Sequence, residues 1–311
     1  MKQYACALAM LVLTGCATTT ATDPVVVRAD QGPGPTLDDL KSDPNNTNNV
    51  LTYGMGYHQQ RYSPLNQINK SNVKRLVPVW SLSLENEFGE QAQPMVYNGV
   101  VYVSNAKWTV AIDALTGKQL WRTGVDFAPE TPRVVCCGVS NKGVALYNGK
   151  VFRTTLNAHV VALDMKTGAQ VWKQKAAEWT EGYSQTVAPL IANGVLVTGI
   201  SGAEFGIRGF IDGWDPDTGK HLWRRYTTAG PGEKGHETWE PRESYLHGGA
   251  STWITGSYDP ELDLMYWGTG NAGPWNPVNR KGDNLYAASL LAMRPKTGEI
   301  AWHYQFVPND V

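Results

Sequence analysis

The 311-residue sequence predicts an all-β propeller of four-stranded blades, and three observations predict it. First, one unit recurs four times: an apolar pair, a Thr-Gly turn, a short spacer and a Trp. The copies are residues 111–121 (AIDALTGKQLW), 162–172 (ALDMKTGAQVW), 213–223 (GWDPDTGKHLW) and 292–302 (AMRPKTGEIAW). Trp121, Trp172 and Trp223 stand 51 apart and the step to Trp302 is 79, a period that means a repeat architecture. Second, Asn-Gly pairs between β-rich runs precede the first three units, and Asn-Gly supplies the two positive φ values of a tight hairpin. Third, 32 Gly, 12 Trp and 14 Tyr suit an all-β repeat better than a helical one. A hairpin followed by two strands about the Thr-Gly turn makes four strands, which is a propeller blade.

The chain opens on a targeting segment. Lys2 precedes an apolar run, residues 5–13, too short to span a bilayer. Leu13-Thr14-Gly15-Cys16 is similar to a bacterial lipobox, with Cys16 as the lipidated first residue; the alternative is a secretory signal cut near Ala17. Both readings predict export to the periplasm. Residues 18–50, rich in Thr, Asp, Pro and Asn, read as a linker with a short helix at 36–42. Residues 61–73 are expected along the domain edge, and 76–84, with Trp80, as a first strand. Hairpins follow at 95–103, 144–152 and 190–197. With 42% hydrophobic residues there is enough for a large core, and a net charge of −1 points to no nucleic-acid or membrane-surface partner.

The deviations from the repeat are where chemistry is expected. From hairpin Gly to Thr-Gly the spacing is 18 (Gly99 to Gly117), 19 (Gly149 to Gly168) and 25 (Gly194 to Gly219). The extra residues of the third repeat are 201–206, SGAEFG, which put Glu204 at a strand end, as a site residue or a solvated one. A polar, Gly/Pro-rich stretch at 228–247 delays the fourth repeat and reads as a surface loop or lid. Four repeat units plus a partial blade at Trp80 are too few to close a wide ring. The expectation is therefore a partial propeller over 51–311.

Adjacent Cys136 and Cys137 are the most specific feature. Consecutive Cα atoms sit about 3.8 Å apart, under the usual disulfide range of about 4.4–6.8 Å, so bridging them strains the ring. Strain of that kind clusters at functional sites. Two reduced thiols, or a partner beyond Val311, are the alternatives. Residues 268–273, GTGNAG, fit G-x-G-x-x-G, but Pro274 and Pro277 follow and no βαβ unit surrounds them, so they do not read as a dinucleotide site. His247 reads as a loop hydrogen-bonder. Glu204 and Asn271 offer hard oxygen donors, suited to a cation such as calcium once further ligands complete the shell.

RYSPLNQIN at 61–69, Cys136-Cys137, SGAEFGIRG at 201–209, HGGASTW at 247–253 and GTGNAGPWN at 268–276 resemble the pyrroloquinoline quinone-dependent alcohol dehydrogenases over residues 52–311. The resemblance implies an eight-bladed ring with the quinone on its axis, about the first half being present here. It implies a vicinal disulfide, Cys136 to Cys137, on one face of the quinone and Trp253 on the other. Thr186 and Ser201, with the backbone at Gly202 and Ala203, would hold the cofactor's polar edge. Glu204 and Asn271 would bind calcium or a lanthanide. The family's Arg is replaced by Lys142, and its Glu by Gln91 beside Glu90, two departures at cofactor contacts. The base Asp is expected just past Val311, so Asp310 is given no role. A further Asp two residues after that base would mark a lanthanide. The implied activity is oxidation of a small alcohol, with a cytochrome c as electron acceptor. The alternatives are a cofactor-free outer-membrane assembly lipoprotein, which shares the repeat but has no use for the Cys pair, SGAE or GTGN, and a degenerate paralogue, hinted at by Lys142 and Gln91.

Overall fold

The computed structural model describes residues 32–86, 88–136 and 138–310; the leader with Cys16, and Cys137, lie outside the described residues. The expected blades are present as four antiparallel four-stranded sheets in which sequence neighbours pair. The first holds β1 (Met95–Tyr97), β2 (Val100–Ser104), β3 (Trp108–Asp113) and β4 (Gln119–Gly124). The second holds β5 (Ala145–Tyr147), β6 (Lys150–Thr154), β7 (His159–Asp164) and β8 (Gln170–Lys175). The third holds β9 (Leu190–Ala192), β10 (Val195–Gly199), β11 (Phe210–Trp214) and β12 (His221–Tyr226). The fourth holds β13 (Ser257–Asp259), β14 (Leu264–Gly268), β15 (Ser289–Met293) and β16 (Ile300–Gln305).

Local sequence explains each turn. Asn98-Gly99, Asn148-Gly149 and Asn193-Gly194 all have both φ values positive, which fits the right-handed twist of the strands they join. In the Thr-Gly unit one carboxylate oxygen does most of the work. Asp164 Oδ1 accepts from the N–H of Lys166 and Thr167 and from the Thr167 hydroxyl at 2.8–3.0 Å, and Asp113 and Asp215 repeat the pattern.

The repeat's Trp joins one sheet to the next. A Cβ on Gly117, Gly168, Gly219 or Gly298 would overlap the ring of Trp80, Trp121, Trp172 or Trp223. The indole N–H groups donate to carbonyls of the neighbouring turns, at Ala114, Met165, Pro216 and Pro295. So the Gly of each turn is required twice, for its positive φ and for the close approach of an indole from the preceding sheet or, at Gly117, from Trp80.

Three expectations need correction. Residues 76–84 form no ladder: Leu76, Val77 and Val79 are exposed, and the segment is held through Trp80 on Gly117. A strand exists by its hydrogen-bonded neighbour, and among the described residues none runs beside this one. Residues 32–50 are not a free linker. Thr36 caps α1 (Leu37–Ser42) in a capping box with Asp39, Leu40 is buried, and the Asp43 carboxylate accepts from the N–H of Leu51 and Thr52. The 228–247 stretch is more than a surface loop. It carries fully buried Trp239, packed with Ala250, Ala272 and Ala287, whose indole N–H donates to the Leu285 carbonyl at 2.7 Å.

Candidate functional site

One edge of the four sheets gathers the site. The segments leading into β1, β5, β9 and β13 carry Gln91, Lys142, Thr186 and Trp253, three or four residues ahead of each strand. Hydrogen bonds join these segments from sheet to sheet. Gln93 N–H donates to the Lys142 carbonyl (3.1 Å), Lys142 N–H to the Thr186 carbonyl (2.9 Å), and the Thr255 hydroxyl to the Ala188 carbonyl (2.9 Å). Buried Asn141 fixes the Lys142 backbone by accepting from Ser104 Oγ (2.6 Å) and Gly143 N–H (3.1 Å) and donating to the Thr154 carbonyl. The corresponding connections after β10 and β14 bring in Ser201–Glu204 and Asn271.

Together these residues line a cavity of about 220 Å³, formed by Gln91, Cys136, Lys142, Thr186, Ser201, Gly202, Glu204, Trp253 and Asn271, with Val135, Ser140 and Ser251. Nine of the sequence-singled residues therefore meet in one place. Ala203 faces a second hollow of about 300 Å³, shared with Glu204, Gly206, His247, Pro274 and Trp275, so Glu204 stands between the two spaces. Cys136 is disulfide-bonded. Gly202 has φ +121°, and a Cβ there would lie 2.1 Å from the Gly182 carbonyl, so the SGAE turn accepts no side chain at that position.

The polar groups have a definite order. Lys142 is buried; its Nζ donates to Thr186 Oγ1 at 3.2 Å, and Thr186 Oγ1 lies 3.3 Å from Ser201 Oγ. The same ammonium stands 5.0 Å from the Trp253 ring centroid. Burial pulls its pKa below the ordinary lysine value. Trp253 remains 45% exposed, which leaves indole surface for a flat ligand. Gln91 faces the cavity, whereas Glu90 accepts from Asn105 Nδ2.

Glu204 and Asn271 are set relative to each other by Gly248-Gly249-Ala250. Gly249 N–H donates to Ile207 O (3.0 Å), Gly209 N–H to Gly249 O (2.8 Å), Ala250 N–H to Asn271 O (2.9 Å) and Gly273 N–H to Gly248 O (2.8 Å). The strip runs between the two connections, and the Gly pair of HGGA lets it do so. Gly249 has φ +67° with Ala203, Asn271 and Gly273 close by, and Gly248 lies against the Trp239 ring. The Asn271 amide nitrogen donates to Ala272 O (3.3 Å), leaving Oδ1 as its available donor atom to a cation. Among the described residues no three His, Cys, Asp or Glu cluster as a metal cage. Two hard oxygen donors at the rim fit a cation of the calcium or lanthanide type whose shell a bound ligand completes.

Sequence reasoning missed some contributors. Asp310 Oδ2 accepts from Ala272 N–H at 3.1 Å, bracing the Asn271 turn, and Arg280 holds the Asp310 carbonyl at 2.8 Å. Arg208 lies 3.5 Å from the Tyr226 ring centroid and 4.8 Å from that of Tyr245, donates to Thr228 O, and pairs with Glu233, so it ties the 228–247 insertion to sheet three. Arg208 sits inside the quoted SGAEFGIRG motif, but nothing in sequence pairs it with partners as distant as Tyr226, Glu233 and Tyr245. His247 is the hydrogen-bonder expected. A carbonyl only accepts, so its Nδ1 donates to Gly206 O at 2.8 Å. GTGNAG opens no α-helix, only a 3₁₀ turn at Pro277–Asn279.

The family described as "PQQ: Glucose/ethanol/alcohol dehydrogenase, beta-propeller domain" matches residues 51–311. The quinoprotein alcohol dehydrogenase PedH of Pseudomonas putida is 44% identical over 292 residues, covering 88% of this chain and 49% of the relative. The quinohemoprotein alcohol dehydrogenase ADH IIB of Pseudomonas putida is 44% identical over 275 residues, covering 84% and 40%. The solved quinohemoprotein alcohol dehydrogenase of Comamonas testosteroni superposes with a TM-score of 0.85 at 37% identity, covering 91% of this chain and 44% of that one. A europium-containing methanol dehydrogenase gives 0.83 at 34% identity, covering 88% and 51%. The chain spans about half, or less, of the length of these relatives. A match over 261 of 311 residues shows that this chain belongs to the PQQ glucose/ethanol/alcohol dehydrogenase β-propeller family.

Proposed function

We propose that this chain is the cofactor-holding part of an exported quinoprotein dehydrogenase that oxidises primary alcohols to aldehydes and passes the electrons to a cytochrome c. The observation that carries the reading is the cavity itself: one buried ammonium, one half-open indole, one disulfide-bonded Cys and two hard oxygen donors converge there from all four sheets. When bound, the quinone supplies a hydride acceptor and the metal a Lewis acid. The protein's part is holding and shaping. Trp253 and a Cys136–Cys137 disulfide would flank a planar ring, and Lys142, Thr186 and Ser201 would meet its anionic, polar edge. Gly202 lets the SGAE turn close against the Gly182 carbonyl and so sets the position of Ser201 and Glu204. Glu204 and Asn271 serve as metal ligands, and Asp310 and the Gly248–Ala250 strip keep Asn271 in place. The second hollow, walled by Pro274 and Trp275 and reaching Glu204, offers an apolar approach for the alcohol's carbon chain. Asp310 is committed to the Ala272 amide and is not proposed as the base, a role kept for the Asp expected past Val311. The leader at 1–17 supports export. Reconstituting the full-length protein with the quinone and calcium or a lanthanide, then following dye-linked alcohol oxidation, tests the reading. Turnover with one of the two ions is expected, and failure to take up quinone with either would overturn it.

A further inference from the structure

Lys142 is incompletely used. It is 9% exposed, and its ammonium carries three N–H donors. Thr186 Oγ1 takes one, and the Trp253 ring lies against the group without accepting a conventional hydrogen bond. No carboxylate forms an ion pair with it among the described residues. The charged groups around it are few. Glu204, on the connection after β10, is the other charged residue lining the cavity. Glu90, ahead of β1, accepts from Asn105 instead. Its own segment from Cys136 to Gly143 and the segments at Thr186 and Trp253 bring no further charge into the cavity. Burial is the cause that displaces its titration downward, uncompensated by any of these carboxylates. A guanidinium in the same place would keep its charge at every working pH, whereas a buried amine gives up its proton more readily than an exposed one.

We propose that cofactor loading in this protein is coupled to the uptake of one proton at Lys142, whose amine becomes charged as a carboxylate of the quinone enters beside it. The inference rests on the proposed function, because it takes the ligand to be that anion. The proton comes from solvent and forms the third N–H bond of the ammonium, and no electrons move. At low pH the amine is already charged and binding moves no proton. At higher pH, until the carboxylate-paired amine itself begins to titrate, each ligand bound takes up one proton, and affinity falls about tenfold per pH unit.

The test is calorimetric titration of the full-length protein, saturated with calcium, with pyrroloquinoline quinone. Each titration is run at several pH values in two buffers of different ionisation enthalpy. Proton uptake should rise from zero toward one with pH in the parent. Lys142→Arg should keep binding and lose the pH-dependent uptake. Lys142→Met should bind more than about tenfold more weakly at the low end and show no uptake. Any proton linked to Glu204 and the metal is common to parent and Arg variant and cancels in their difference. Equal proton counts in those two proteins would overturn the inference while leaving the proposed function standing. No quinone binding in any of the three would overturn both.

Discussion

Sheets one and two differ from sheets three and four most plainly in one connection. Between the second and third strands, the first sheet spends three residues (105–107) and the second four (155–158). The third spends ten (200–209) and the fourth twenty (269–288). Everything around that connection is alike in the three sheets that carry the repeat's Asp: an Asn-Gly hairpin, an Asp-braced Thr-Gly turn, and an indole laid on the next sheet's Gly. The fourth sheet swaps Asp for Arg294, which donates to Leu262 O instead, and keeps the indole contact through Trp223. The difference teaches that frame and site are specified by separate residues: the repeat builds the frame, and the two long connections bring Glu204 and Asn271 to it.

Substitutions can break that separation from either side. The largest effect is expected at Glu204→Gln, which removes a charged ligand and should weaken metal-dependent quinone uptake about 100-fold or more while the unfolding midpoint of the cofactor-free protein stays put. Trp172→Ala should do the reverse. The ring is 8% exposed and lies on Gly219, so urea unfolding should show a loss of about 3–5 kcal/mol, with quinone affinity retained by the folded fraction. Gly249→Ala sharpens the comparison because it touches both. A Cβ at φ +67°, 2.9 Å from Gly273 N, should destabilise the protein by about 1–3 kcal/mol and also weaken metal affinity about 10–100-fold by shifting Glu204 against Asn271. Asp164→Ala, which removes a surface turn brace, should cost about 1 kcal/mol and leave cofactor uptake unchanged.

Much of the frame was legible because it repeats. Asn-Gly and Asp-x-x-Thr-Gly are local signals whose geometry follows from φ values and short-range hydrogen bonds. The same holds for Thr36 and Asp39, a capping box that places α1. Residues 76–84, with Trp80, read as a first strand, yet a ladder needs a neighbour that local sequence does not reveal. The site was legible in part through the interrupted spacing at 201–206 and in part through family resemblance. What stayed hidden depends on contacts distant in sequence: Asp310 on the Ala272 amide, Arg208 between Tyr226 and Tyr245, and buried Trp239 under the 228–247 insertion.

Quenching of tryptophan fluorescence by pyrroloquinoline quinone, titrated into the full-length protein with and without calcium or a lanthanide, tests the division between frame and site most directly. Saturable one-to-one quenching that requires the metal, is lost in Glu204→Gln and survives in Asp164→Ala is the expected result. Equal quenching in the parent and Glu204→Gln, or loss in Asp164→Ala alone, would contradict it.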